Sequence, residues 1–203
     1  GRYTVVGTDQ SVDLFAVAEA LRAGKVKLAS GSVELVGNGE FNPSAATYPN
    51  GCHICEIEVD PETGAFTIPR YTVVDDFGKV INPLLLAGQV HGGIGQGLGQ
   101  ALIERTVYDR DGQLLTASFM DYAMPRAGDL PSYAFRSIEI PCKTNPLGMK
   151  GSGEAGAIGA PPAAMNALLD ALRPAGVTRI DMPATPSIIW QAIRQAAPAR
   201  AAE

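Results

Sequence analysis

The stretch Lys150-Gly-Ser-Gly-Glu154-Ala-Gly-Ala-Ile-Gly-Ala-Pro-Pro162 places a single carboxylate among small residues. Because glycine carries no side chain, the backbone of such a loop can approach another body closely while Glu154 projects beside it. A second glycine-rich segment runs from Gly88 to Gly99. We predict that the two segments are walls of one site, and Glu154 is the residue in them that is chemically suited to move a proton.

A helix is expected directly after this loop. Pro161 and Pro162 are typical of the first helical positions, and apolar residues recur at helical spacing as far as Leu172. The buried stripe of this helix is predicted to consist of Met165, Leu168, Leu169 and Leu172.

Another helix is predicted to begin at Asn82-Pro83, with Asn82 as its N-cap. Its apolar positions have i, i+4 spacing, yet five glycines lie in its interior. Each interior glycine costs about 1 kcal/mol relative to alanine, so roughly 5 kcal/mol of propensity opposes this helix. Such a cost predicts a close approach, either by another helix or by a ligand. The apolar positions are Val90, Ile94, Leu98 and Ala101, and the glycines are Gly92, Gly93, Gly95, Gly97 and Gly99.

Residues 52–70 predict a β-hairpin. Cys55, Ile57 and Val59 alternate with mostly polar residues, which is the period of a half-buried strand. The sequence Asp60-Pro-Glu-Thr-Gly64 is a turn, and the chain then returns from Ala65 to Val74.

The remaining elements complete an α+β pattern of mixed β-hairpins and sheets packed with several helices. The length of 203 residues allows one large domain or two small ones, with possible subdomains at about 1–75 and 76–203. The other predicted elements are an apolar run at 3–6, a helix capped by Asp9 or Ser11 and stopped by Gly24, a strand at 33–36, a hairpin of 104–108 with 114–118, a strand at 134–142, a helix from Pro186 through Ala196, and a frayed end at 197–203.

Composition excludes several classes of protein. The net charge of -5 and the absence of a basic block argue against a nucleic-acid surface. No apolar run approaches the roughly 20 residues of a membrane span, and the first residues do not have the pattern of a signal peptide. Three cysteines make a disulfide framework improbable, so a reducing, cytoplasmic setting is expected.

Three motifs have competing interpretations. The string Gly151-x-Gly153-x-x-Gly156 matches a dinucleotide fingerprint, but that fingerprint requires a strand running straight into the glycines. Cys52 and Cys55 have the spacing of a zinc or redox pair, but residues three apart on a strand point to opposite faces, which favours two small core residues. His53 and His91 are the only histidines, and packed or hydrogen-bonded roles are favoured over metal ligation.

Two interpretations of Glu154 remain open at this stage. A glutamate at a helix start is common, because the helix dipole favours a negative charge there. A carboxylate enclosed beside a ligand is instead suited to general-base catalysis. The residues alone favour neither interpretation.

Three motifs together resemble the molybdenum-binding large subunit of the xanthine oxidase family. They are Gly88-Gln-Val-His-Gly-Gly-Ile-Gly-Gln-Gly-Leu-Gly99, Lys150-Gly-Ser-Gly-Glu154, and the stretch from Pro49 to Asp60. The resemblance spans nearly the whole chain and implies the molybdopterin-binding fold of that family. Because the family's large subunit is several times longer, this chain is expected to be its C-terminal portion.

The resemblance also implies a cofactor and roles for single residues. Molybdenum is expected to be held by the dithiolene of a molybdopterin, possibly in its cytosine dinucleotide form, with no protein ligand to the metal. Glu154 matches the family's catalytic glutamate, which takes a proton from the attacking oxygen. Gln89 matches a pterin contact, Gln96 lies in a segment of close backbone approach, and Gly151 and Gly153 let Glu154 reach the metal.

The expected partners are an upstream half of the large subunit, together with iron–sulfur and FAD subunits. The expected reaction is oxidative hydroxylation of an aldehyde, a nitrogen heterocycle or carbon monoxide, with the chain inactive alone. Two rival hypotheses are a scaffold that docks partner subunits without chemistry, and a nucleotide-binding enzyme that rests on the glycine string alone.

Overall fold

The computed structural model describes residues 1–26 and 37–196. The chain divides into two compact units, Gly1–Asn42 and Pro43–Glu203. The subdomain boundary expected near residue 75 falls inside the second unit, at the end of a strand. The predicted strand at 33–36 and the predicted frayed end at 197–203 lie outside the described residues.

The first unit contains a small antiparallel pair of strands and a helix. Strand β1 (Arg2–Thr4) pairs with β2 (Ser11–Asp13), and α1 (Leu14–Arg22) follows directly. The prediction of Asp9 or Ser11 as N-cap was wrong, because strand pairing keeps residues 11–13 extended. Asp13 is the cap, and its carboxylate accepts a hydrogen bond from the Ala16 amide at 2.8 Å.

The second unit is built around a three-stranded mixed sheet. Strand β3 (Asn50–Val59) pairs antiparallel with β4 (Phe66–Asp76), which confirms the predicted hairpin. Strand β5 (Tyr133–Ile138) pairs with β4 in parallel. The predicted strand at 134–142 was too long, because the Ile140 amide donates to the Asp76 side chain instead of to a neighbouring strand.

Four helical segments complete the unit and confirm the α+β class. They are α2 (Pro83–Leu102), α3 (Ala155–Leu172), a single 3-10 turn (Arg173–Ala175) and α4 (Pro186–Ala196). Asn82 caps α2 as predicted, accepting from the Leu85 amide at 3.1 Å. Within the described ranges, no helix combines the length and apolar character needed to cross a lipid bilayer.

Helix α3 begins earlier than predicted. Pro161 and Pro162 lie inside it, and the first turn starts at Ala155, directly after Glu154. Proline in a helix interior removes a backbone hydrogen bond, so tertiary packing must offset that loss. Gly156 and Ala160, in the part that sequence reasoning missed, are buried against α2.

The predicted hairpin of 104–108 with 114–118 is reduced to one isolated bridge between Tyr108 and Leu114. Two backbone hydrogen bonds flank this bridge, from the Asp109 amide to the Gln113 carbonyl oxygen at 3.0 Å and from the Leu115 amide to the Val107 carbonyl oxygen at 2.8 Å. The chain therefore turns back where predicted, but the pairing is too short to form regular strands.

Two glycines of α2, Gly93 and Gly97, lie at its crossing with α3. A Cβ atom at Gly156 would lie 2.3 Å from the Val90 carbonyl oxygen, and one at Gly93 would lie 2.9 Å from the Ala157 amide nitrogen. These distances leave no room for a side chain, so the two backbones touch. Of the two explanations offered for the glycine-rich sequence, close packing by another helix is therefore observed at these positions.

The hydrophobic core lies between the sheet and the α2–α3 pair. Side chains from three sources meet there: Tyr71 and Val73 of β4, Val90, Ile94, Leu98, Ala101 and Leu102 of α2, and Ala160, Ala164, Leu168 and Leu172 of α3. This core fixes the first residue of α3, and thereby Glu154, relative to α2 and the hairpin.

Candidate functional site

The loop from Lys150 to Glu154 separates two cavities. The larger, of about 460 Å³, is lined by Gly151, Gly153 and Glu154 together with residues of β3, β4 and α3. The smaller, of about 260 Å³, is lined by Lys150 and Ser152 together with residues of α2, including Gln89. Alternate residues of the loop therefore face opposite cavities.

A buried ion pair anchors the start of this loop. Lys150 Nζ lies 2.6 Å from Asp76 Oδ2, and the Lys150 amide donates to the Phe77 carbonyl oxygen at 2.8 Å. Asp76 also accepts from the amides of Gly78 at 2.8 Å and Ile140 at 3.1 Å. Burial opposes ionisation of Asp76, but these hydrogen bonds and the lysine charge outweigh it, so the pKa of Asp76 is lowered.

Two further hydrogen bonds hold the middle of the loop. The Gly151 amide donates to Thr47 Oγ1 at 3.0 Å, and Gln89 Nε2 donates to the Gly153 carbonyl oxygen at 3.1 Å. Gln89 therefore links α2 to the residue that precedes Glu154. The loop is tied to three separate parts of the unit before α3 begins.

Glu154 occupies the N-cap position of α3 but does not cap it with its side chain. Its backbone carbonyl oxygen accepts from the Ile158 amide at 2.9 Å, while its exposed carboxylate lines the larger cavity. Among the described residues no hydrogen bond or ion pair engages this carboxylate. The group is available to accept a proton from a molecule in the cavity.

The structure brings four of the five predicted cofactor or catalytic residues together. Gln89, Gly151, Gly153 and Glu154 lie in or against the same loop. Gln96 is exposed on α2, about two helical turns beyond Gln89, and lines neither of the two cavities.

A polar cluster at the larger cavity was missed by sequence reasoning. His53 Nδ1 lies 2.7 Å from the Tyr71 hydroxyl, and His53 Nε2 lies 3.4 Å from Asp75 Oδ1. In the hairpin register, His53 faces Val73, so Tyr71 and Asp75 are its diagonal neighbours on the same face. The alternation of side chains along β4, once aligned with that along β3, is the sequence pattern from which this cluster could have been predicted.

Two glycines make room for the cluster. A Cβ atom at Gly51, opposite Asp75 in the hairpin, would lie 1.9 Å from Asp75 Oδ1. One at Gly159 of α3 would lie 2.6 Å from the His53 ring. The imidazole is therefore enclosed between the hairpin and α3, in the packed role predicted for it.

The remaining motif hypotheses have simple outcomes. Cys52 is exposed and Cys55 is half-buried, so they lie on opposite faces as predicted, although only Cys55 packs against the core. Burial and the adjacent Glu56 charge raise the pKa of Cys55 to about 12, which leaves its thiol unreactive. Strand β5 ends at Ile138, well before Gly151, so the strand-to-glycine context of a dinucleotide fingerprint is absent from this part of the described chain.

A family model described as a molybdopterin cofactor-binding domain matches residues 1–131, about two thirds of the chain. The chain belongs to this family, as part of a xanthine-oxidase-type molybdenum-binding subunit, and the resemblance drawn from the three motifs is confirmed. The loop that carries Glu154 lies beyond the matched residues.

Individual relatives cover more of the chain. The nicotine 6-hydroxylase large subunit of Paenarthrobacter nicotinovorans is 40% identical over 76% of this chain and 19% of its own length. The gamma subunit of the 6-hydroxypseudooxynicotine dehydrogenase complex from the same organism is 37% identical over 94% of this chain and 24% of its own. Quinoline 2-oxidoreductase from Pseudomonas putida 86 superposes with a TM-score of 0.84 at 34% identity, covering 92% of this chain and 24% of that one.

The chain therefore spans about a quarter or less of the length of these relatives. Its own surface fits part of a molybdopterin site. Cβ atoms at Gly88 and Gly92 of α2 would meet nothing within 4 Å, which leaves open backbone on either side of Gln89. In the described ranges, no group of three or more His, Cys, Asp or Glu side chains is placed to hold a metal directly.

Proposed function

We propose that this chain supplies the catalytic base and part of the cofactor surface of a molybdenum hydroxylase. Glu154 is the base, and Gln89, Gln96, Gly151 and Gly153 contact the molybdopterin. The observation that carries the proposal is the Glu154 carboxylate, which faces a cavity from a loop anchored by Lys150.

The chain's own residues have distinct tasks in this mechanism. The bound cofactor supplies the two-electron oxidation of the substrate. Glu154 accepts the proton of the attacking oxygen, and its rigid loop holds the carboxylate at a fixed depth in the cavity. Gln89 donates to Gly153 through Nε2, which leaves its Oε1 atom to accept from the pterin.

Carbon monoxide dehydrogenases and aldehyde oxidoreductases are also similar to this chain. Of the three substrate classes we favour a nitrogen heterocycle, because the relatives with the highest identity and the highest TM-score among those reported above are named for nicotine and quinoline. The electrons are expected to leave through iron–sulfur and FAD subunits, and the cofactor is expected in its cytosine dinucleotide form. The reducing setting implied by the unpaired cysteines supports a cytoplasmic location.

The test is Glu154→Gln in the assembled, molybdenum-loaded enzyme. Glutamine keeps the shape of the side chain but cannot accept the proton, so we expect a loss of kcat of about 10²-fold or more. Molybdenum and pterin content should remain near the unmodified values. Glu58→Gln is the matched control, because Glu58 is exposed on the outer face of the hairpin, and it should leave kcat unchanged.

Loss of cofactor in parallel with activity would make Glu154 a structural residue. Unchanged activity with full cofactor content would reject it as the base. In either case the scaffold hypothesis would become the better description of this chain.

A further inference from the structure

The open end of the β3–β4 hairpin holds two consecutive residues of the loop at 150–154. Asp76, the last residue of β4, binds the Lys150 side chain at 2.6 Å. Thr47, in the segment just before β3, accepts a hydrogen bond from the Gly151 amide at 3.0 Å. Because β3 begins opposite Asp76 in the hairpin register, the two contacts come from the same end of the hairpin, one beside each strand.

The two contacts lie in different surroundings. The side chains of Lys150 and Asp76 are only 12% and 5% exposed, so their ion pair is part of the interior. Gly151 is exposed and Thr47 is half-buried. An amide near the surface that loses its partner can bind water instead, so the Thr47 hydrogen bond contributes little to stability. We therefore expect this bond to affect the position of the loop more than the stability of the fold.

At its two glycines, the loop has little side-chain packing that could hold it. Apart from its chain neighbours, a Cβ atom at Gly151 would have one described atom within 4 Å, Thr47 Oγ1 at 3.8 Å, and one at Gly153 would have none. The restraints at these positions are therefore hydrogen bonds, from Gly151 to Thr47 and from Gln89 to Gly153. Gln89 is also proposed to contact the cofactor, whereas the hydroxyl oxygen of Thr47 has only the loop to hold.

The Thr47 hydrogen bond joins two parts of the wall of the larger cavity. Thr47 and the two residues after it line this cavity together with Glu154. Without the bond, the loop is free to shift away from the segment before β3, and the carboxylate shifts with it. Misplacing a reacting group by about 1 Å can cost on the order of 10²-fold in rate.

We propose that Thr47 is a positioning residue for Glu154, and that it acts through the hydrogen bond from the Gly151 amide to its hydroxyl oxygen. The proposal rests on the proposed function, because it takes Glu154 to be the base. Thr47 lies outside the three motifs found in the sequence, and its partner is 104 residues away along the chain. Only the folded chain therefore points to this residue.

Two substitutions of Thr47 separate its hydroxyl group from its methyl group. Valine keeps the size of the side chain without the hydroxyl, and serine keeps the hydroxyl without the methyl. In the assembled, molybdenum-loaded enzyme, we expect Thr47→Val to lower kcat about 10-fold and to change KM less than about threefold. Thr47→Ser should keep most of kcat, and both variants should keep their molybdenum.

Three results of these measurements would contradict the proposal. Unchanged kcat in Thr47→Val would show that the hydrogen bond does not matter for turnover. A loss of kcat in Thr47→Ser with none in Thr47→Val would assign the effect to the methyl group on the cavity wall. A loss of molybdenum in parallel with kcat would make Thr47 a structural residue.

Thr116→Val is the matched control. Thr116 Oγ1 also accepts a hydrogen bond from a backbone amide, that of Val107 at 3.1 Å, and Thr116 is also half-buried. It lines neither of the two cavities beside the loop. This change should leave kcat unmodified. An equal loss of kcat in Thr116→Val would show a general effect of removing such a bond and would remove the support for a specific role of Thr47.

A double variant tests whether Thr47 acts through Glu154. In the Glu154→Gln enzyme, adding Thr47→Val should lower the remaining kcat by less than about twofold, because the group that Thr47 positions is already absent. A further loss of about 10-fold would show that Thr47 acts independently of Glu154, and the positioning role would be wrong.

Hydrogen exchange gives a readout that does not depend on turnover. In the assembled enzyme, the Gly151 amide should exchange about 10-fold faster in Thr47→Val than in the unmodified protein, and at the same rate in Glu154→Gln. Equal exchange in Thr47→Val would show that Thr47 does not restrain the loop.

The measurements also distinguish this proposal from the proposed function. Turnover that is lost in Glu154→Gln but kept in Thr47→Val would reject the positioning role alone. Turnover that survives in Glu154→Gln would reject the base, and the positioning role with it, even where exchange at Gly151 confirms the hydrogen bond.

Discussion

At the scale of single residues, the site depends on one buried carboxylate that never faces the larger cavity. Asp76 binds Lys150 and two backbone amides, and Lys150 begins the loop that ends at Glu154. Because Asp76 and Lys150 are 74 residues apart in sequence, this ion pair ties the loop to the end of β4. Breaking a buried pair leaves one charge uncompensated, which is far more costly than losing a surface pair.

Asp76→Asn is predicted to destabilise the chain by about 3 kcal/mol at neutral pH. The folded-state pKa of Asp76 is lowered, so its contribution is present above the unfolded value of about 3.9 and is lost as pH falls through the folded pKa. The difference in unfolding free energy between variant and unmodified chain should therefore be largest near neutrality and shrink in acid. Denaturant titrations at several pH values measure it.

Glu139→Gln is the control for this variant. Glu139 forms an ion pair with Lys79 at 3.1 Å, but both side chains are largely exposed. Such pairs contribute about 0–1 kcal/mol, so this change should be nearly neutral and salt-sensitive. If the two variants lose equal stability, or if the Asp76→Asn penalty grows as pH falls, the anchoring role of Asp76 is wrong.

Some residues of the site could be identified from the sequence, and others only from the structure. Glu154, Gln89 and the two loop glycines stand in motifs, so the printed sequence was enough to single them out. Asp76 and Asp75 stand in no motif, because their partners come from other segments. Only the register of β3 against β4, and the return of the chain after β5, bring those partners within hydrogen-bonding distance.

At the scale of secondary-structure elements, the crossing of α2 and α3 decides where Glu154 lies. The first turn of α3 carries Gly156, whose backbone touches α2 near Val90 and Ile94. This contact fixes where α3 begins relative to α2. It therefore also fixes the position of Glu154, the residue directly before α3. The helix-propensity cost of Gly93 and Gly97, the α2 glycines at this crossing, is therefore offset by the packing that they allow.

Gly156→Ala is predicted to destabilise the chain by about 1–3 kcal/mol. The added methyl group would overlap backbone atoms of α2, which can be displaced only if the whole helix shifts. Gly92→Ala in the interior of α2 should do the opposite. Nothing lies within 4 Å of its added Cβ atom, so the gain in helix propensity, about 1 kcal/mol, is expected in full. Unfolding of the two variants by denaturant compares them directly.

The matched pair separates packing from propensity. Both changes replace a helical glycine by alanine, so propensity alone would make both stabilising. A stabilised Gly156→Ala variant would contradict the close crossing, and a destabilised Gly92→Ala variant would show that the open face of α2 is occupied.

At the scale of the whole molecule, the chain spans about a quarter or less of its matched relatives. It presents the Glu154 loop and an open face of α2, which together form one side of the proposed cofactor site. A cofactor that is contacted from one side only is held weakly, because fewer of its hydrogen bonds are satisfied and more of its surface remains in water.

The purified chain is therefore predicted to retain little or no molybdenum, and to retain it when combined with the remaining part of such a subunit. Elemental analysis of the chain alone and of the mixture is the measurement. Metal found only in the mixture would support a cofactor site divided between two segments. A stable complex without metal would favour the scaffold role, and stoichiometric metal in the chain alone would reject the divided site.

The amino-acid sequence by itself determined the family, the α+β class, the hairpin and the choice of Glu154 as the proposed base, because these depend on local pattern and on motifs a few residues long. It could not determine the start of α3, the parallel pairing of β4 with β5, or the His53–Asp75 and Asp76–Lys150 pairs. Those features depend on contacts between distant segments. Two prolines that would break an isolated helix are tolerated inside α3, because Gly156 and Ala160 are buried against α2. Local propensities of about 1 kcal/mol per residue were outweighed by the burial of a shared core, which exists only in the folded chain.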